Sequence, residues 1–347
     1  MGTRRRPLIR DVAGRAGVSL TTVSLVLNGK AGANIPAETQ ARVRAAAKEL
    51  GYRPNAMARG LRRQRSDTIA VISDEIATTP FAGAMLQGAQ DAAWATGRVM
   101  LLVNTGRDVN LEARAVEAML DHHVDAVVYA RMHHEVVDPP AGIRDVPAVL
   151  LDARTASGDL PSVVPDEAAA AFAAVGYLAG HGHRRIAFVN TSDPGPAAIE
   201  RLEGYRLGLS AHGLAADPAM IALGDYGDTP SGFAAALRLL DGDNRPTALF
   251  CFNDRMAMGA YRAILLRGLR VPDDISIVGF DNMEQIAPWL DPPLTTMQLP
   301  HYEMGRWAVE HVLAMLDGPS TVTPRLPMQM RLPCPLVERR SVGPPTA

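Results

Sequence analysis

Two kinds of chemistry are written into the residue types of this 347-residue chain. One is polyanion binding. From Met1 to Arg65, fourteen Lys/Arg face only Asp11, Glu38 and Glu49, a balance of +11, whereas the remaining residues, 21 basic and 34 acidic, carry −13. The other is recognition of a small polar molecule. Ser73-Asp74, Asn104, Asp152, Asn190, Asn253-Asp254 and Asp281-Asn282 each follow directly on an apolar run, and open α/β sheets bind ligands at the C-terminal ends of their strands.

Catalytic and metal chemistry have no comparable signature. Walker loops, nucleophile elbows and zincin patterns are missing, and Gly83 and Gly88 lack the dinucleotide spacing. His122-His123, His133-His134 and His181-Gly182-His183 suggest metal at first sight, but adjacent side chains on a helix diverge. Surface or helix-end positions account for them better. Cys251 and Cys334 are the only cysteines, far apart and without metal-type spacing, so neither a disulfide framework nor a zinc site is indicated. A non-enzymatic protein without cofactor or metal is expected. Composition agrees: 47% apolar residues and a mean hydropathy of zero suit a globular protein with a sizeable core. With no apolar leader segment or long apolar span in view, the expectation is a cytoplasmic protein without membrane contact.

Positioning the basic chemistry falls to the first 66 residues. LIRDVAGRAGVSLTTVSLVLN, Leu8 to Asn28, spaces Ile9, Val12, Ala13 and Ala16, then Val23, Val26 and Leu27, at helical intervals around a Gly17-Val18-Ser19 turn. A third helix is predicted from Pro36 to Gly51, with Val43, Ala46, Ala47 and Leu50 inward. Tyr52-Arg53-Pro54-Asn55 then stops that helix and leads through Arg62-Arg63-Gln64-Arg65 into a linker. Beyond it, TIAVIS at 68, VMLLVN at 99, DAVVYA at 125, AVLLDA at 148, RIAFVN at 185, TALFCFN at 247 and ISIVGFD at 275 alternate with helical patterns. Continuous apolar strands between helices predict parallel sheets buried on both faces. Seven such runs exceed one comfortable sheet, which predicts two lobes with a cleft between them.

Taken together, IRDVAGRAGVSLTTVSLVLNG, IPAETQARVRAAAKELGYRPNAMARGL, YLAGHGHRRIAFV, RLEGYRLGL, FNDRMAMGA, ISIVGFDN and PLTTM resemble the LacI/GalR family of bacterial transcription regulators, in family order over nearly the whole chain. The resemblance implies an α/β protein with an N-terminal helix-turn-helix three-helix module and a two-lobed, periplasmic-binding-protein-like core of parallel sheets. It implies residues 1–54 as the DNA-binding domain, 55–66 as hinge helix and linker, and 67–340 as the effector-binding and dimerisation core. Within that core, lobe 1 is expected at about 67–165 and 294–325, and lobe 2 at about 166–293 and 326–340. The chain would thus cross near Pro165, near Pro293 and near Thr323 to Pro327.

In a helix-turn-helix the second helix presents its N-terminal residues to base edges in the major groove. The resemblance assigns base contact to Leu20, Thr21 and Leu25, and phosphate or turn-stabilising roles to Thr22, Ser24 and Asn28. Packing is the alternative for both leucines, since helical spacing alone does not separate groove-facing from core-facing positions. Leucine at 25 stands where family members often carry a longer polar or basic side chain, which favours thymine-methyl contact over guanine reading. The segment from Asn55 through Ala58 and Arg59 to Leu61 resembles the family's hinge helix, with Leu61 as the minor-groove wedge.

For the cleft, the resemblance ranks Asp281 first, as acceptor of effector hydroxyls or amines, then Arg201, Asn253 and the aromatic Tyr226. From the first lobe it adds Asp74, Thr79 and Phe81 on a strand-to-helix loop, and Asp152. Helix capping is the competing role for the carboxylates and amides, above all Asp254 and Asn282. The partners implied are a pseudo-palindromic operator, a second copy of the chain with residues 82–97 and 301–317 at the dimer surface, and a small-molecule effector. A sugar is favoured for that effector. The function implied is an effector-controlled repressor; the alternative is an activator or global regulator sensing a phosphorylated metabolite, a nucleoside or a partner protein.

Overall fold

A computed structural model describes residues 7–29, 34–53, 65–76, 79, 83–318 and 329–346. The chain divides into two units, one up to Ser66 and one from Asp67 onward. In the first unit, α1 (Ile9–Ala16) and α2 (Leu20–Leu27) are separated by Gly17, whose φ of 65° is the left-handed conformation glycine tolerates. That residue ends α1, and the Val18 amide turns back to the Ala13 carbonyl at 3.1 Å. Ser19 restarts the helix, its hydroxyl accepting from the Thr22 amide at 3.1 Å. Against this pair packs α3 (Ala37–Leu50). Val12, Ala13, Ala16, Val23, Val26, Val43, Ala46 and Ala47 make the core, with Leu27 and Leu50 partly buried at its margin. Arg42 of α3 donates to the Ala16 carbonyl, fixing the end of α1.

The second unit contains two six-stranded sheets. The first runs β11 (Gln329–Leu332), β5 (Ser162–Pro165), β4 (Ala148–Arg154), β3 (Ala126–Val136), β1 (Thr68–Ser73), β2 (Val99–Asn104), with every pairing parallel. The second runs β12 (Leu336–Val337), β10 (Thr295–Gln298), β9 (Ser276–Asp281), β8 (Ala248–Cys251), β6 (Ile186–Thr191), β7 (Ile221–Gly224), parallel except for β12. Helices α4 (Gly83–Ala95) and α10 (His301–Asp317) cover one face of the first sheet, and α5 (Val109–Asp121) the other. On the second sheet, α6 (Glu167–Gly180) and α7 (Pro196–Ala211) lie on one face, α8 (Thr229–Leu240) and α9 (Asp254–Leu266) on the opposite one. Cover on both faces is why the strands read as unbroken apolar runs. VMLLVN is the exception, because β2 is an edge strand and leaves Val99, Leu101 and Leu102 exposed.

Two expected crossings between lobes are displaced. The chain stays with the second sheet to Gln298, since β10 pairs with β9 from Thr295↔Val278 to Gln298↔Asp281, and crosses at Leu299-Pro300, not near Pro293. It then builds α10 and β11 onto the first sheet and returns between Leu332 and Leu336; the region expected for that return, Thr323 to Pro327, lies outside the described residues. Residues 294–298 therefore belong with the second lobe and 329–332 with the first. The inner faces of the segments expected at a dimer surface are turned toward each other: a Cβ on Gly88 would stand 2.0 Å from the Tyr302 carbonyl oxygen, and one on Gly305 would stand 1.9 Å from that of Met85.

Candidate functional site

The strand ends of both sheets converge on a cavity of about 180 Å³. Arg201, on α7, is 3% exposed and lines it. Its Nε and Nη2 donate to Oε2 and Oε1 of Glu167 at 2.6 and 3.1 Å, and its Nη1 donates to the Phe252 carbonyl. The guanidinium carbon lies 3.6 Å from the Phe280 ring centre and 4.5 Å from that of Phe252. Nη1 also stands 4.0 Å from Oδ1 of Asp281, the last residue of β9. Glu167 can reach this arginine because the chain crosses lobes at Pro165 and begins α6 two residues later.

Backbone strain marks the two strand positions that carry the carboxyls. Asp281 holds φ at 105° and Asp152, on β4, at 54°, conformations that cost a non-glycine residue about 1–3 kcal/mol and cluster at ligand sites. Burial pushes the Asp281 carboxyl well above the usual carboxylate range, opposed by Arg201 and Arg255, and burial pushes Asp152 up in the same way. Among the described residues, Oδ1 of Asp152 has no hydrogen-bond partner, and neither ring nitrogen of His134 has one. His134 is 2% exposed, lies on β3 and faces the same cavity. Burial lowers its pKa, so it presents a neutral ring with one donor and one acceptor. Leaving such a group unpaired costs about 1–3 kcal/mol. A ligand with hydroxyl or amine donors would relieve that cost.

Of the residues expected in the cleft, Asp152, Arg201, Asn253 and Asp281 line the cavity together. Asn253 is bound up in structure: its Oδ1 caps α9 by accepting from the Met256 amide at 2.8 Å, and its Nδ2 donates to the Gly227 carbonyl at 2.9 Å. Three residues lie elsewhere. Asp74 is fully buried beside β1, where it accepts from the Glu75 amide and the Arg107 guanidinium. Thr79 donates to the Glu75 carbonyl. Tyr226 is 72% exposed, and it is the adjacent Gly227 that reaches the cavity. Phe81 lies outside the described residues. Asp254 and Asn282 have structural partners, the first accepting from Thr296 and the Met283 amide, the second from Arg339.

Sequence reasoning missed Glu167, His134, Arg255 and Phe252. A glutamate in the first turn of a helix reads as a dipole partner, and only the fold brings it to Arg201. The surface reading of the histidines fails at His134 and again at His183, which is 1% exposed between Thr247 and the Gly343 carbonyl. No group of three His, Cys, Asp or Glu side chains suited to a metal ion occurs among the described residues.

On the first unit, α2 turns Val23 and Val26 inward and leaves Leu20 and Leu25 exposed at 51% and 37%, with Thr21 exposed beside them. That resolves the packing alternative for the two leucines within this unit. Thr22 shares a hydrogen bond with Ser19 at 2.9 Å, and Asn28 donates to the Ser24 carbonyl at 2.7 Å. Asn55, Ala58, Arg59 and Leu61 lie outside the described residues.

Residues 8–55 match the family described as bacterial regulatory proteins, lacI family, and residues 175–342 match a periplasmic binding protein-like domain. The chain is 34% identical over 311 residues to the HTH-type transcriptional repressor CytR of Escherichia coli K12, covering 89% of this chain and 90% of that protein. It is 32% identical over 310 residues to the HTH-type transcriptional repressor PurR of Vibrio atlanticus, covering 88% and 90%. Among solved structures, the lac repressor dimer bound to operator and the anti-inducer ONPF superposes with a TM-score of 0.81 at 29% identity, over 98% of this chain and all of that one. A CelR–cellobiose complex superposes with a TM-score of 0.68 at 31% identity, over 97% of this chain and all of that one.

Proposed function

The chain belongs to the lacI family of bacterial regulatory proteins, and from that footing we propose that it is a homodimeric repressor whose operator affinity is set by a sugar-class effector bound between its lobes. It is a helix-turn-helix transcriptional regulator with an effector-binding core. The function is binding and not catalysis, in keeping with the repressors CytR and PurR that the chain is similar to. The observation that carries the effector reading is a cavity lined from both lobes, with Asp152 and His134 on strands of the first sheet, Asp281 on a strand of the second and Arg201 on the helix α7 that covers it. A ligand bridging the two would favour one arrangement of the lobes over another, which is the requirement for control of a distant site.

Base reading is assigned to Leu20, Thr21 and Leu25, supported by their exposure on α2. Thr22, Ser24 and Asn28 stabilise the turn and approach phosphates. Asn55, Ala58, Arg59 and Leu61 are assigned to a hinge that reads the operator centre, and the coupling passes through residues 55–66. For the second copy, the exposed apolar edge of β2 with Trp94, 72% exposed at the end of α4, supports a self-complementary surface.

Gel shift of the full chain on a pool of palindromic duplexes, with and without sugars and nucleosides, tests the reading. Retention of a palindrome at moderate salt and a change on adding one sugar are expected. Failure to retain any palindrome would remove the regulator reading, and indifference to every ligand would remove the effector.

A further inference from the structure

The cavity is rich in carboxyl groups, and its buried arginine already has a protein acceptor at each nitrogen. Asp152, Glu167, Asp193 and Asp281 line it against Arg201 and Arg255. All three nitrogens of the Arg201 guanidinium group have protein acceptors, two on Glu167 and one on Phe252. The side chains of the ion pair are 4% and 2% exposed. A phosphate or carboxylate entering here would have to compete with Glu167 for the fork while lying beside Asp281, 4.0 Å from the same guanidinium. The groups that do await a partner suit a hydroxyl-bearing ligand, which both donates and accepts. Oδ1 of Asp152 can accept from a ligand donor, and His134 offers one donor and one acceptor; both residues are 2% exposed, face the cavity and have these atoms unpartnered among the described residues.

We propose that the cavity selects a donor-rich polyol without an anionic group, plain or amine-bearing, and that Glu167 is the residue that excludes phosphorylated and carboxylated ligands. The proposal rests on the cavity being the effector site, and it names the chemical class that site accepts. Glu167 acts through Arg201: by neutralising the guanidinium it converts an anion-seeking fork into a rigid wall. Removing its charge while keeping its shape frees the arginine for an anion.

The test uses the full chain as wild type, Glu167→Gln and the double variant Glu167→Gln with Arg201→Gln, titrated calorimetrically with inorganic phosphate. Wild type is expected not to bind phosphate in the millimolar range. Glu167→Gln is expected to gain at least tenfold in affinity, and the double variant to lose that gain. Millimolar phosphate binding to wild type, a gain that the double variant keeps, or no gain in a folded Glu167→Gln, overturns the proposal. A second arm holds even if the variants fold poorly: glucose, glucosamine and glucose 6-phosphate, with the corresponding galactose and ribose sets, are compared for their effect on wild-type operator binding. No phosphate ester is expected to act, and one that does overturns the proposal. Should the phosphate gain of Glu167→Gln appear while no member of any set alters operator binding, anion exclusion stands and the effector reading falls.

Discussion

Glu167 and Arg201, 34 residues apart in sequence, meet through two hydrogen bonds in a site where neither side chain is more than 4% exposed. Removing one partner leaves the other charged, buried and without compensation, which costs about 3–5 kcal/mol. Arg201→Ala is therefore expected to lower the urea midpoint of the second unit strongly. A loss below about 1 kcal/mol would mean that water reaches Glu167 and screens it.

Asp281→Ala is expected to abolish the effector response and leave operator binding intact. The side chain sits at a strand end in the cavity, where it approaches Arg201 of α7 only to 4.0 Å. Gel shift with and without the effector reads both properties at once. An unchanged response would take Asp281 out of the site.

The same carboxyl gives a pH signature. Burial raises its pKa in the folded chain above the unfolded value, so the folded state binds the extra proton, and stability falls as pH rises from about 4 toward about 7. Asp281→Asn removes this contribution. Urea melts across the window are expected to show wild type losing stability relative to the variant as pH rises. Parallel curves would contradict the shift.

Leu25→Arg is expected to leave the first unit folded, because position 25 is 37% exposed on α2 and surface changes cost less than about 0.5 kcal/mol. Its effect belongs to operator choice. A guanidinium there can read guanine bidentately, worth about 1–3 kcal/mol of discrimination, which selection from a randomised duplex pool would reveal. Val23→Ala, in the fully buried core of the same helix, is expected to cost on the order of 2 kcal/mol instead.

Gly88→Ala and Gly14→Ala separate two uses of glycine. The added Cβ at 88 would stand 2.0 Å from the Tyr302 carbonyl oxygen, while at 14 it meets nothing within 4 Å. Forcing α4 from α10 is expected to cost at least about 1–3 kcal/mol, and filling the middle of α1 to add about 0.5–1 kcal/mol. Thermal melts give the signs; a stabilised Gly88→Ala would show that the two helices can part freely.

The helix-turn-helix was legible in sequence because its signals are local: a 3.6-residue apolar period, a turn glycine and a serine cap within about twenty residues. Most of the longer strands were legible for the same reason. Short β10, reading TTMQ, was not, because four residues with two threonines carry no period and only pairing with β9 assigns them to a lobe. That is why the crossing was placed too early. In the cavity, Asp281, Asp152 and Arg201 could be named from their motifs, whereas Glu167 could not. A carboxylate at a helix start has a sufficient local explanation, and its partner lies a lobe crossing away. Tyr226 failed in the other direction, since a motif position fixes a place along the chain but not which way a side chain turns.

The late return of the chain to its first lobe has a consequence for synthesis. Met304, Ala308, Val309, Val312 and Leu313 of α10 belong to the core of the first sheet, and β11 completes its edge. A ribosome delivers β1 to β5 early, yet their covering helix is among the last segments to emerge. Until then, the apolar face that α10 will occupy lies open in the nascent chain, exposed to association with other chains. A transcript truncated before residue 301 would therefore yield a protein whose DNA-binding unit can fold while its first lobe cannot close. Loss of that last stretch acts on the beginning of the core.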